Sequence, residues 1–168
     1  MFHKYIPTNS QIAEATKLVN SMPLFKSSVT NNHLTLHGVL SEIIVRDSGL
    51  LGKVQLETRK PQLYNHDLIN PLSGETFEIK TRIMKDWLLP PPERFHVHLP
   101  LSSAQRQRPS KFVFCMTNNT ASVFYIIGML NNEDKFLKGA LVNPGLHNGN
   151  WMVKRSLLLI KIKDLVRL

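Results

Sequence analysis

Cysteine is nearly absent from this chain: Cys115 is the only one in 168 residues. That excludes an internal disulfide framework and a four-cysteine zinc module, and it fits a reducing, cytoplasmic compartment. Long apolar runs are missing as well. No stretch reads as a transmembrane span, and the opening Met-Phe-His-Lys-Tyr-Ile-Pro lacks the apolar run of a signal peptide, so no membrane partner is expected. Acid is scarce: 12 Asp+Glu stand against 21 Lys+Arg, for a formal charge of +9. Between Glu93 and Glu133 there is no acidic residue at all, while Arg94, Arg106, Arg108 and Lys111 lie inside that interval. The tail from Trp151 carries Lys154, Arg155, Lys161, Lys163 and Arg167 against Asp164 alone. Such a balance points to a polyanionic partner, most often nucleic acid.

What is present suffices for one domain spanning residues 1–168, since 42% of the residues are hydrophobic. Thr8 or Asn9 caps a predicted helix over 10–21, with Ile12, Ala15, Leu18, Val19 and Met22 at helical spacing and Pro23 closing it. Thr30, Asn31 or Asn32 caps a second helix over 33–47, whose apolar face is Leu36, Val39, Leu40, Ile43 and Ile44. Glu42 is the only acid inside that helix and falls beside the apolar stripe, where it can point inward. Alternation predicts strands over 53–60, 95–99, 111–116, 122–130 and 156–165. Three consecutive prolines after Leu89 break the chain, Ser102 or Ser103 caps a short basic helix over 104–108, and Asn131 caps a helix over 133–141. Residues 146–150 read as a loop. The order implies an α/β (α+β) domain with a mixed central sheet flanked by helices.

The informative stretch runs from Tyr64 to Arg82, two strands joined by the turn Pro71-Leu-Ser-Gly74. A period of two puts Thr76, Glu78, Lys80 and Arg82 on one face and Phe77, Ile79, Thr81 and Ile83 on the other. Asp67 on the first strand can approach Glu78 across the hairpin. Two carboxylates and an ammonium on one polar strand face suit a divalent metal with a base beside it.

Asp67, ten intervening residues and then Glu78-Ile-Lys80 resemble the signature of the PD-(D/E)xK nuclease superfamily, in which an Asp near a strand end precedes Glu-x-Lys on the adjacent strand. A Glu from a preceding helix often joins them, as Glu42 does here. The resemblance covers Glu42 to Lys80, and His66 stands where a proline usually precedes the Asp. It implies a restriction-endonuclease-like core and a site-specific endonuclease of the restriction or homing type, often phage or intron encoded, that hydrolyses phosphodiester bonds in double-stranded DNA. It implies Mg²⁺, with Mn²⁺ as a substitute, bound by Asp67, Glu78, the carbonyl of Ile79 and Glu42 directly or through water. Lys80 would orient or deprotonate the attacking water or stabilise charge on the phosphorane. One small centre cuts one strand, so double-strand cleavage implies a homodimer or higher oligomer. Expected DNA contacts are Arg82, Arg106, Arg108 and Lys111, with Gln105 and Gln107 available to read base edges. Arg94 and the basic tail are expected to be bystanders or weak backbone contacts. The alternatives are a catalytically silent nucleic-acid-binding protein of the same fold, or an RNA-directed nuclease.

Rival motifs are incomplete. Asp47 with Glu57 and Arg59 duplicates the pattern with an Arg that cannot act as a base. His33 with His37, and His96 with His98, lack further ligands for zinc. Tyr125-Ile-Ile-Gly128 echoes half of a GIY-YIG motif, and Phe112, Phe114 and Phe124 read as core.

Overall fold

Strand-forming, hairpin and helical segments assemble in a computed structural model that describes residues 2–21, 35–57, 66–147 and 151–168. The chain begins with β1 (His3–Tyr5), α1 (Asn9–Ser21) and α2 (Thr35–Asp47), followed by β2 (Gln55–Leu56), β3 (Leu68–Ile69) and β4 (Thr76–Met84). After the proline-rich connection come β5 (His96–Pro100), α3 (Leu101–Arg106), β6 (Lys111–Asn118) and β7 (Phe124–Asn131). The last part holds α4 (Lys135–Lys138), β8 (Gly139–Val142), β9 (Gly145–His147), β10 (Trp151–Val153) and β11 (Leu157–Lys161).

β1, β7, β6, β4, β3 and β2 form a six-stranded sheet in that order. β4 and β6 pair parallel and the other neighbours antiparallel, so the sheet is mixed and the domain is α/β as expected. A second sheet has the order β5–β11–β8, and β9 pairs with β10.

The pleat of β4 decides what lies on each face. Phe77 and Ile79 pack with Val45 of α2 and with Val113 and Cys115 of β6. Residues in parallel register share a face, so Glu78 lies beside Phe112, Lys80 beside Phe114 and Arg82 beside Met116. Phe112, Phe114 and Met116 belong to the core that the second sheet and α3 cover, with Val97, Leu99, Ala104 and Leu158. The large sheet is thus sandwiched between a helical layer and a smaller sheet. Each large apolar side chain buried there contributes roughly 1.5–3 kcal/mol.

α1 starts with a reciprocal cap: Gln11 N donates to Thr8 Oγ1 at 3.2 Å and Thr8 N donates to Gln11 Oε1 at 3.0 Å. On α2 the stripe Val39, Leu40, Ile43 and Ile44 is buried as its spacing predicts. Ile12 on α1, by contrast, is 40% exposed. A bidentate pair from Arg46 to Glu14, at 2.5 and 2.9 Å, joins the two helices. Met22, Pro23, Thr30, Asn31, Asn32, His33, Arg59, Tyr64 and Asn65 lie outside the described residues.

Three local expectations are corrected. The helix over 133–141 shrinks to α4, because Gly139–Val142 pairs with β11 and sheet pairing overrides helical propensity. The basic helix begins at Leu101, not Ala104, and has no serine cap; Leu101 N donates instead to Ser156 O at 3.1 Å. The expected loop over 146–150 yields its first two residues, Leu146 and His147, to β9, which pairs with β10 just beyond it. Among the described residues no helix is long and apolar enough to cross a membrane.

Candidate active site

The hairpin forms with Leu68 opposite Phe77 and Ile69 opposite Thr76. Its turn is tied by Asn70, whose Oδ1 accepts from Leu72 N and Ser73 N at 3.0 and 3.3 Å, and Gly74 supplies a φ of +72° that a side chain would strain. β3 then stops, while β4 runs on to Met84 without a strand on that side among the described residues. Asp67 sits at this break. Its Oδ2 accepts from Ile79 N at 2.7 Å, so a carboxylate occupies the amide that the next strand residue would have taken. Asp67 N donates to Phe77 O at 2.9 Å, which fixes the turn of the backbone. His66, just before it, lies with Nε2 3.5 Å from Glu57 Oε2.

Glu78 is strongly perturbed. It is 6% exposed, and burial, reinforced by the nearby charge of Asp67, raises its pKa to about 7 against the opposing pull of Lys80 and Gln107. Lys80 Nζ and Gln107 Nε2 each donate to Glu78 Oε1 at 2.7 Å. Both donors fall on one oxygen and leave Oε2 to another electrophile. Glu42 is buried at 7% exposure on the helix that crosses β4, between Gly38 and Val45. Among the described residues no group of three or more His, Cys, Asp or Glu is gathered closely enough to hold a metal ion. A two-carboxylate set still suits Mg²⁺, which keeps several waters and is held through one or two carboxylates. The mutual repulsion of Asp67 and Glu78 is what a cation there would relieve. Asp67 and Glu78 are the two carboxylates that could hold such an ion.

The expected DNA contacts divide. Gln105, Arg106 and Arg108 are exposed, and the two arginines donate to backbone carbonyls only. Arg82 is turned inward: Nη1 donates to His98 Nε2 at 3.0 Å and to His96 O at 3.3 Å, across to β5. Lys111 pairs with Glu75 Oε1 at 2.6 Å. Gln107, expected to read a base edge, is a partner of Glu78, and its Oε1 is buried without a hydrogen bond. No sequence signal marked Gln107 for this role, because it lies 29 residues from Glu78 and meets it only through the α3 connection.

The rival motifs resolve as structure. Asp47 accepts from Arg46 Nε at 2.7 Å and Gln11 Nε2 at 2.9 Å. His37 Nε2 lies 3.0 Å from Asn119 O. Cys115 is buried, which pushes its thiol up to about 12 and leaves it inert. Gly128 is a packing position, discussed below.

A crevice of about 560 Å³ opens beside Lys80 of β4. Its walls include Lys80 and Arg82, His98 of β5, His37 and Gly38 of α2, and Lys154 and Arg155 beyond β10. A scan against protein-family models and a search of curated proteins both return no match.

Proposed function

We propose that the protein is a metal-dependent endonuclease that hydrolyses phosphodiester bonds in DNA, of the PD-(D/E)xK kind and of restriction or homing type. The observation that carries the reading is the junction at the β3–β4 break. There Asp67 caps the open edge, Glu78 stands beside it at a raised pKa, and Lys80 reaches Glu78 on a face that opens into a cationic crevice. Mg²⁺ or Mn²⁺ bound to Asp67, Glu78 and the Ile79 carbonyl would supply charge neutralisation and a more acidic water.

Each side chain then has a definable task. Asp67 is held by the Ile79 amide, so its carboxylate is oriented before substrate arrives. Glu78 shares a proton-bearing contact with Lys80 Nζ, which keeps an ammonium within reach of developing negative charge. Arg82 lies two residues further along the same face. His96 O and His98 Nε2 fix its guanidinium, which can take a non-bridging phosphate oxygen. Arg106 and Arg108 remain exposed for backbone contacts, and a dimer would bring two centres to two strands.

A silent nucleic-acid-binding protein is the second reading, favoured by the lack of a three-ligand cluster among the described residues. Plasmid incubated with the protein in Mg²⁺, Mn²⁺ or EDTA separates the two. Metal-dependent nicking should disappear in Lys80→Ala and in Asp67→Asn, which keeps an oxygen for the Ile79 amide. Losses of roughly a thousandfold or more are expected for groups acting on transition-state charge. DNA binding with no cutting in either metal by the wild-type protein would sink the enzyme.

A further inference from the structure

We propose that the crevice beside Lys80 seats an unpaired nucleotide, its base on the apolar lining and its flanking phosphates on Lys154 and Arg155. The inference rests on the nuclease reading only for the identity of the polyanion, and it requires that a duplex cut by the proposed enzyme be opened locally, with one nucleotide taken out of the stack. The cavity, about 560 Å³, falls within the ~300–1,000 Å³ typical of sites that enclose a ligand. Its apolar lining is the partly exposed Ile83, Pro100 and Leu157, backed by the buried Val97, Phe114, Met116 and Val153, whereas its rim carries Lys80, Arg82, Lys154 and Arg155. Lys154 and Arg155 are exposed, and no ion pair among the described residues engages either of them.

A duplex keeps its bases stacked inside and would meet the rim alone, leaving the apolar lining unfilled. An unpaired nucleotide presents both a π-face and phosphates, the pairing of surfaces that single-strand sites use. The cationic path also continues: a neighbouring hollow of about 300 Å³ shares Arg82 and His98 and adds Arg94. Lys154, Arg155 and Arg94, expected at most to make weak backbone contacts, thereby line the track of one strand.

Gly38 provides a clean test. It lines the crevice, and a Cβ built there meets no heavy atom within 4 Å, so Gly38→Phe fills the cavity without removing charge and improves helix propensity. Binding is read in EDTA by fluorescence anisotropy, with labelled oligothymidine as one probe and the same strand annealed to oligodeoxyadenosine as the other. The expected result is tighter binding of the single strand. Lys154→Ala/Arg155→Ala should weaken it about tenfold or more, because two phosphate contacts are lost. Gly38→Phe should weaken it by a similar factor while leaving duplex binding unchanged. The exposed pair Lys4→Ala/Lys17→Ala, with the same loss of charge, should change it by less than about twofold. Duplex binding as tight as single-strand binding overturns the proposal. So does unchanged oligothymidine binding in Gly38→Phe, an equal loss in the Lys4/Lys17 control, or no binding of either probe. Absent nicking in Mg²⁺ with this binding pattern intact removes the catalytic reading and leaves the nucleotide seat standing.

Discussion

Gln107 donates its side-chain amide to Glu78 Oε1 at 2.7 Å, on the same oxygen that Lys80 Nζ reaches at the same distance. The two donors orient a buried carboxylate from opposite kinds of element, a neighbour on the strand and a residue just past α3. In physical terms Gln107 is a positioning residue for the proposed metal holder.

Gln107→Ala should therefore raise the Glu78 pKa further, because a donor to the charged form is lost. Metal affinity and kcat/KM should fall roughly 10- to 100-fold, the usual effect of removing a partner that orients a ligand. Mg²⁺ titrations of nicking activity check this, with Gln107→Asn as a shorter amide. If the alanine variant keeps the wild-type Mg²⁺ dependence and pH profile, the contact has no role in the chemistry.

Glu78 also makes a signed prediction about pH. Below its ordinary value of 4.5 the carboxyl is neutral in both folded and unfolded chains, and between there and about 7 the unfolded chain ionises first. Stability from this group is thus full below about pH 4.5, declines up to about pH 7 and is level above, a loss on the order of 2–3 kcal/mol. Urea melts of the wild type and Glu78→Gln from acid to mildly alkaline pH should show the variant gaining relative stability across that window and nowhere else. Activity runs the other way. At limiting Mg²⁺, kcat/KM should rise through about pH 7, with the midpoint moving down as Mg²⁺ increases, since the cation competes with the proton.

His98 gives the opposite sign. Burial, then the charges of Arg82 and His96, lower its pKa from 6.5 to about 4. The ring is neutral at working pH, with Nε2 accepting from Arg82. As pH falls below 6.5 the unfolded chain takes a proton that the folded chain refuses, so stability is lost down to about pH 4. Discounted for its partial contact with solvent, the effect is about 1–2 kcal/mol. His98→Gln should flatten that acid slope while leaving an acceptor for Arg82. An unchanged slope would mean that another group carries it.

The hairpin and its two faces were legible because a period-two pattern and a Pro-Leu-Ser-Gly turn are local signals, and the structure keeps both. So was the α2 stripe. The approach of Asp67 to β4 is readable from the hairpin, whereas the capped Ile79 amide is not, since it depends on where the β3 ladder stops. Gln107 on Glu78, and Lys154 and Arg155 on the crevice wall, are meetings of residues distant in sequence and have no local signature. Gly139–Val142 misled for the same reason: its strand state is imposed by β11, not by its own residues.

Gly128 shows how a residue that reads as motif can be packing. It lies in β7 opposite Phe114, next to the register shift at Phe114/Cys115, with φ at +155°. A Cβ there would stand 2.8 Å from Val166 O and 3.0 Å from Leu165 Cβ. The adjacent Met129 holds this C-terminal segment through reciprocal 2.9 Å hydrogen bonds with Val166, so the segment cannot retreat without breaking them. Strain and lost bonds together predict that Gly128→Ala costs about 2–4 kcal/mol. Gly38→Ala is the matched control: it meets open space in a helix and should gain roughly 0.5–1 kcal/mol. Urea denaturation of both variants measures the difference, and a Gly128→Ala midpoint at or above that of the wild type would show that the 165–166 segment yields freely.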